Sequence, residues 1–278
     1  MILIADSGST KTEWALIDGK NIKLEFKTIG LNPVFVDTND VITELNKTGI
    51  IEFSEIIKKI YFFGAGCSTE SRKRIISIPL GKLFKNSEII VESDLLGAAI
   101  SQFGHKDGII GILGTGSNTG VYKNGKINEN ISSLGYILGD EGSGAVIGKA
   151  FIKLYLDNEL PKDIDTKFSN SFNLSLDTII TKIYKEAFPN RFLASFMPFI
   201  SENRNDEVVN NMLYNSFGNF FDKTILKYKN YQDKELRLIG SIAFYFNDII
   251  KDMCISKDIR LTSISKAPLK GLIRYYSN

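Results

Sequence analysis

The chain has 278 residues, 43% hydrophobic and 24% charged, which suits one large or two moderate globular domains with a sizeable core. Its 34 Lys and Arg stand against 32 Asp and Glu, a balance too even for a nucleic-acid or membrane-surface binder to be read from charge. Two distant cysteines, Cys67 and Cys254, with no CxxC and the single His105, argue against a disulfide framework or a Cys/His zinc site. The N-terminus is apolar for only about five residues before Asp6 and no other apolar run reaches membrane length, so the expectation is a soluble, cytoplasmic chain.

In chain order, Ile2 to Ala5 reads as a short apolar strand, and Thr12 to Ile17 and Ile22 to Thr28 as two more, turning at Asp18-Gly19-Lys20. Val41 to Leu45 and Phe53 to Lys59 read as helical. Ile60 to Phe63 returns as strand and ends in Gly64-Ala65-Gly66. A helix from Glu70 to Ile78 is expected to stop near Pro79 and Gly81, with the basic run Arg72-Lys73-Arg74 on its solvated face. Ile89 to Val91 is a further strand, followed by a small-residue helix from Leu95 to Phe103.

The opening pattern then recurs. Ile109 to Leu113 is an apolar strand, Gly114-Thr115-Gly116-Ser117-Asn118 a turn, and Thr119 to Lys123 a strand ending at the turn signal Asn124-Gly125. ILIADSGSTKT and IGILGTGSNTG share one design of strand, small polar hairpin and strand, which predicts an internally duplicated α/β protein. From Gly144 the chain turns helical, with helical spacing in Val146, Ile147, Ala150, Phe151 and Leu154 and in segments near 175–187 and 207–228. Leu236 to Ile239 is a strand leading through Gly240-Ser241 into a helix from Ile242 to Met253. A last strand near Arg260 to Ile264 precedes Pro268 and a short terminal helix. With no linker in view, a boundary near 104–108 gives lobes of 1–105, joined by 268–278, and 106–267.

The two turns fit neither common phosphate motif. No Gly stands where a P-loop needs one before Lys11-Thr12, and strand rather than helix follows Lys11-Thr12 and Gly114-Thr115-Gly116. A glycine hairpin still binds anions through successive backbone N–H groups, because Gly lets a phosphate approach closely. One such turn is as well explained by ordinary hairpin chemistry; two in matched positions can clamp a polyphosphate.

Other polar residues gather at strand ends. Asp94, before Leu95-Leu96-Gly97, can cap its helix or do chemistry, and the residues leave both open. Asp140 and Glu141, among the glycines of Gly139-Asp140-Glu141-Gly142-Ser143-Gly144, suit a helix N-terminus or a ligand's close approach. Gly240-Ser241 reads as tight packing or a nucleotide contact, Asn32 as a turn residue, and His105 as a loop residue.

Together, DSGSTKT at 6–12, the acid of ESDLLGAA at 92–99, GTGSN at 114–118, GDEGSG at 139–144 and LIGSIA at 238–243 resemble, in order, the actin-like ATPase and sugar kinase superfamily. Within it the chain is similar to the BadF/BadG/BcrA/BcrD group, and most of all to bacterial N-acetylglucosamine kinases of the Bacteroidetes type. The resemblance runs from residue 2 to about 273 and is weak between 155 and 235. It implies a duplicated ribonuclease H-like α/β fold, two lobes with a nucleotide cleft between them, ATP and Mg²⁺ as cofactors, and a small-molecule sugar as partner. No nucleic acid or membrane partner is expected; a homodimer stays open.

By that resemblance, Asp6, Gly8, Ser9, Thr10, Lys11 and Thr12 form the first phosphate loop, with Asp6 organising Mg²⁺ through water. Gly114, Thr115, Gly116 and Ser117, with Asn118, form the second, and Gly240 and Ser241 lie against adenosine. Pro268 to Leu272 is the closing connecting segment. Asp94 is the catalytic base that activates a sugar hydroxyl, the 6-OH, and Asn32, Thr115, Gly135 and Asp140 contact the sugar along with it. One departure concerns Leu134, which in Ser133-Leu134-Gly135-Tyr136 stands where the sugar kinases carry Trp. An aromatic platform for an acetamido group then falls to another residue, Tyr136 being the candidate.

N-acetylglucosamine is the first expectation for the acceptor and N-acetylmuramic acid the second. Two other classes are weighed. ATP-driven activases of the same group hold a [4Fe–4S] cluster on cysteines near the nucleotide, and neither Cys67 nor Cys254 lies in the second phosphate loop. A nucleotide-binding regulator without turnover has no use for an acceptor base, so Asp6, Asp94 and Asp140 speak against it.

Overall fold

The computed structural model describes residues 1–277; residue 278, the last of the expected terminal helix, lies outside them. The chain opens with β1 (Ile2–Ser7), β2 (Lys11–Asp18) and β3 (Asn21–Ile29), then α1 (Thr38–Asn46), β4 (Lys59–Gly64), α2 (Glu70–Leu83), β5 (Glu88–Ser93) and α3 (Asp94–Phe103). The five strands make one sheet in the order β3-β2-β1-β4-β5. β1, β2 and β3 pair antiparallel, whereas β4 runs parallel to β1 and β5 parallel to β4.

A second round follows with β6 (Gly108–Leu113), β7 (Ser117–Lys123) and β8 (Lys126–Ile131). The helices α4 (Gly135–Leu138), α5 (Gly144–Leu156), α6 (Lys162–Phe172), α7 (Leu176–Tyr184), α8 (Pro189–Ala194), α9 (Met197–Glu202) and α10 (Glu207–Lys223) come next. β9 (Leu236–Ile239), α11 (Ser241–Tyr245), α12 (Asn247–Ser256), β10 (Leu261–Ser265) and α13 (Leu269–Tyr276) close the chain. The second sheet runs β8-β7-β6-β9-β10, which repeats the first strand for strand, with β9 and β10 parallel. This is the duplicated α/β fold expected of an actin-like ATPase. Residues 1–110, 122–129 and 267–277 make one compact unit, and residues 111–121 and 130–266 another.

Burial follows strand position. β1 lies at the centre of its sheet, and Leu3, Ile4 and Ala5 are all fully buried, so both faces are covered. β3 is the edge strand, and its sequence NIKLEFKTI alternates polar and apolar along a half-exposed face. Trp14 anchors this core: its ring stacks on Phe26 at 5.6 Å, and its indole N–H donates to Thr28 Oγ1 at 3.0 Å. In the other unit, Phe168 meets Phe151, Phe196 and Phe199 edge-on at 5.2–5.4 Å, giving the helical region its own aromatic centre. Along α10, Val209, Met212, Leu213, Phe217, Phe220 and Phe221 form one buried stripe at helical spacing.

Three expected helices change shape. No helix covers 53–59: Gly49–Phe53 is a 3₁₀ turn capped by Thr48, and Lys59 already pairs with Ile2 and Glu88 as the first residue of β4. α2 does not stop at Pro79 but runs to Leu83, because Ile76, Pro79 and Leu80 are buried and their packing offsets the missing N–H of proline. The helix expected over 242–253 is broken at Phe246, whose ring turns inward, 5.7 Å from that of Phe217. Among the described residues no helix is long and apolar enough to cross a membrane. Both Cys67 and Cys254 are buried free thiols.

Candidate active site

The parallel register of the first sheet lines up three strand ends. Asp6 is level with Phe63 and Phe63 with Glu92; one residue on, Ser7, Gly64 and Ser93 are level. β1 therefore delivers Asp6 and β5 delivers Asp94 to the same sheet end, with only the glycine end of β4 between them. Burial pushes the Asp6 carboxyl up to about 8, and the negative charges of Asp94 and then Glu13 add to it while Lys11 opposes. Asp6 thus lies within the field of Asp94, but burial more than that charge is what keeps its carboxyl protonated near neutral pH.

Asp94 is not the cap of its helix. Ser93 is the N-cap, accepting from the Leu96 N–H at 3.2 Å, and Asp94 is the first helical residue, its carboxylate accepting from the Leu95 N–H at 2.8 Å. Asn32 joins the same corner. It is nearly buried, its Oδ1 accepts from the Val34 N–H at 2.9 Å, and a Cβ on Gly66 would stand 2.2 Å from that oxygen. Gly66 has φ +80° and so has two reasons to be glycine. Cys67, weighed in the sequence only as a disulfide, zinc or cluster ligand, lies here too: burial first and then the Asp94 charge push its thiol up to about 12.

The first hairpin turns on four residues. The Gly8 N–H donates to the Lys11 carbonyl at 3.0 Å, and the Gly30 N–H donates to the Thr10 carbonyl at 3.0 Å. Gly8 and Ser9 are half-buried, Thr10 and Lys11 exposed. The Lys11 ammonium is directed at Glu13, 2.7 Å away, and Lys27 reaches the same oxygen at 3.3 Å. Burial alone would raise the Glu13 carboxyl, but these two lysines hold it below its ordinary value. Thr12 departs from the expected loop role: it is fully buried with its hydroxyl turned into the protein, so the exposed face of the loop is Gly8 to Lys11.

In the other unit the second hairpin is tied to the start of α5. Gly144 and Ala145, the first residues of that helix, donate their N–H groups to the carbonyls of Gly114 at 2.8 Å and Thr115 at 3.1 Å. Asp140 stands at φ +57°. Its carboxylate accepts from the Ser133 hydroxyl and from the backbone of Ser117 and Gly135; burial raises its carboxyl and these bonds oppose the rise. A Cβ on Gly116 would lie 3.0 Å from Asp140 Oδ2, so Gly116, Ser117, Gly135 and Asp140 form one cluster beside Thr115. Ser133 is a member the sequence reading missed; the neighbouring Glu141 pairs with Lys223 at 2.8 Å, a partner the sequence also did not reveal.

Gly240, at φ +121°, has a packing reason for its identity: a Cβ there would stand 2.1 Å from the Leu113 carbonyl oxygen. That places the exposed Ser241 beside the strand end that opens the second hairpin. Leu134, Ile137 and Leu138 are exposed; Tyr136 is half-buried, its carbonyl accepting from Lys149 Nζ at 2.7 Å. Pro268 to Leu272 opens α13, where a Cβ on Gly271 would meet the Ser101 carbonyl at 2.3 Å.

No protein-family model matches the chain. No curated protein sequence matches it either. Among solved structures, a proposed N-acetylglucosamine kinase from Porphyromonas gingivalis is 38% identical, with a TM-score of 0.95 over 100% of this chain and 99% of that one. A proposed N-acetylglucosamine kinase from Chromobacterium violaceum is 16% identical with a TM-score of 0.69, covering 99% of this chain and 98% of that one. A ROK-family glucokinase from Streptomyces griseus, solved with glucose and AMPPNP, shares the fold at 16% identity and a TM-score of 0.60, over 99% and 97% of the two chains. With full-length identity of 38% to the first, the chain belongs to the sugar kinases of the actin-like ATPase superfamily.

Proposed function

We propose that the protein transfers the γ-phosphate of ATP to the 6-hydroxyl of an amino sugar, N-acetylglucosamine. The observation that carries this reading is the meeting of Asp6 and Asp94 at one sheet end, beside the buried Asn32. The choice of sugar is supported by the full-length likeness to the P. gingivalis protein. Asp94 takes the proton of the sugar hydroxyl as its oxygen bonds to the γ-phosphorus and the bond to ADP breaks. Asn32 and Asp140 hold the sugar in their respective units, and the Gly8–Lys11 and Gly114–Ser117 turns hold the phosphates through backbone N–H groups. Gly240 and Ser241 hold the adenosine.

Asp6, at the end of β1 that leads into the first hairpin and with the charge of Asp94 in its field, suits Mg²⁺, which keeps several waters and is usually held by one or two carboxylates together with substrate phosphates. Asp6 is the residue that would hold it. When bound, the ion would supply charge neutralisation at the transferring phosphate.

The test is ADP release from purified protein with Mg²⁺, first without acceptor and then with N-acetylglucosamine, N-acetylmuramic acid, glucose or N-acetylmannosamine. Stimulation at least ten-fold by N-acetylglucosamine is expected. Preference for another sugar reassigns the acceptor, and equal slow release throughout overturns the kinase reading for these acceptors.

The first turn has its own test in Gly30→Ala. A methyl there stands 2.5 Å from the carbonyl oxygens of both Gly8 and Ser9, so the turn has to shift. Overpacking of this kind costs about 1–3 kcal/mol of stability. A loss of AMPPNP affinity of about ten-fold or more is expected by calorimetry. Unchanged affinity removes the Gly8–Lys11 turn from the nucleotide site.

A further inference from the structure

The buried hydroxyls of Ser7 and Thr12 have no part in the chemistry above, yet they sit at the two feet of the first hairpin. Both residues are fully buried, and Ser7 Oγ lies 2.8 Å from Thr12 Oγ1. The protons can be placed one by one. Thr12 donates to the Ile29 carbonyl at 2.9 Å, which uses its only proton, so the Ser7 hydroxyl donates to Thr12. The Leu31 N–H then divides between Ser7 Oγ at 3.1 Å and Thr12 Oγ1 at 3.2 Å. No donor in this set is left over.

What this set fastens is specific. Ile29 ends β3, Leu31 is fully buried, and Asn32 follows it directly. Gly30, between them, donates to the Thr10 carbonyl and has backbone oxygens of Gly8 and Ser9 where a Cβ would go. The segment that ends in Asn32 is thus pinned at successive residues to the feet and the tip of the hairpin. The second hairpin is fastened in a like way, through the Gly114 and Thr115 carbonyls and the Ser117 N–H, to the segment that carries Asp140.

We infer that Ser7 and Thr12 are positioning residues that hold the Gly8–Lys11 turn and Asn32 as a single piece, so that phosphate donor and sugar acceptor are set by one hydroxyl pair. The inference rests on the assignment of that turn to nucleotide and of Asn32 to sugar. A polar pair whose loss leaves a buried N–H or carbonyl unsatisfied costs more than a simple contact. Here the cost falls on geometry as well, because misplacement by about 1 Å is enough to lower catalysis about a hundred-fold.

Thr12→Val keeps the shape and removes the hydroxyl. The expected result is a rise of about ten-fold in the KM for both ATP and N-acetylglucosamine, with matching losses in calorimetric affinity for AMPPNP and for the sugar. Thr12→Ser should restore all four values to within about two-fold. A hydroxyl that only stabilised the fold would lower the fraction of folded enzyme, hence the maximal rate, and leave every KM where it was; that result overturns the inference. Should Thr12→Val not fold, Ser7→Ala keeps the Thr12 bond to Ile29 and is read by the same criteria. Asn32→Ala separates the two levels. If it raises the sugar KM and Thr12→Val does not, the fastening is wrong while the sugar site stands. If Asn32→Ala leaves the sugar KM unchanged, Asn32 is not a sugar contact and the coupling to the acceptor falls with it. Wild-type protein that binds neither AMPPNP nor N-acetylglucosamine overturns the proposed function and this inference together.

Discussion

Asp94→Asn is expected to lower kcat by about 10²–10⁴-fold, the usual range for loss of a general base, while AMPPNP affinity changes by less than about three-fold. The amide keeps the size and one acceptor of the carboxylate, so it can still receive the Leu95 N–H, now at 2.8 Å. The helix does not depend on it, because Ser93 supplies the cap. What the amide cannot do is take up a proton. The substitution has a second effect at Asp6: the charge of Asp94 is, after burial, the next cause of the raised Asp6 carboxyl, so that carboxyl titrates lower in the variant. Single-turnover kinetics with N-acetylglucosamine alongside AMPPNP calorimetry separate the chemical step from binding. Turnover near the wild-type rate removes Asp94 as the base.

Asp6→Asn is expected to raise the stability of the ligand-free protein above neutral pH and to abolish turnover. In the folded chain the Asp6 carboxyl titrates at about 8, above the ordinary aspartate value of 3.8. The folded state therefore binds more protons than the unfolded state between these two values. Stability from this group is complete below about pH 4 and is lost as pH rises toward 8, the opposite of the usual salt-bridged aspartate. Discounted for relaxation around the charge, the loss is on the order of 3 kcal/mol, or roughly 5–10 °C in Tm for a chain of this size. The neutral amide carries no such slope. Thermal unfolding of both proteins from pH 5 to pH 9 checks this: curves that stay parallel throughout assign the slope to other groups.

The duplication was legible because β1 and β6 are apolar on both faces and each is followed at once by small polar residues, as ILIADSGST and IGILGTGSN at the starts of two halves show. The kinship of Asp6 and Asp94 was legible only by resemblance. Eighty-seven intervening residues hide that β4 inserts between their strands, parallel to both and ending in glycine. Local chemistry also misled. Asp94 and Ser93 are both good helix caps, and only the backbone of Ser93, extended at φ −67° and ψ 149°, decides between them. Pro79 reads as a stop signal, yet burial of its ring among Ile76 and Leu80 keeps α2 going. Thr12 belongs to a loop motif in sequence but to the core in space, since alternation along β2 turns it inward while Lys11 and Glu13 face out. Gly30 gives no hint in one dimension that two carbonyls of another turn occupy its missing side chain.

α13 has a consequence for how the protein is made. Tyr276 lies flat on Tyr61 at 3.8 Å and beside Phe63 at 6.3 Å, and Gly271 packs on Ser101, so the first unit is finished by a helix that follows the whole of the second unit in the chain. On the ribosome, β1 to β5 and α3 emerge early and then wait while residues 130–266 are synthesised. Through that interval the rings of Tyr61 and Phe63 lack the aromatic cover of Tyr276. The length of the second unit sets the duration of that exposure.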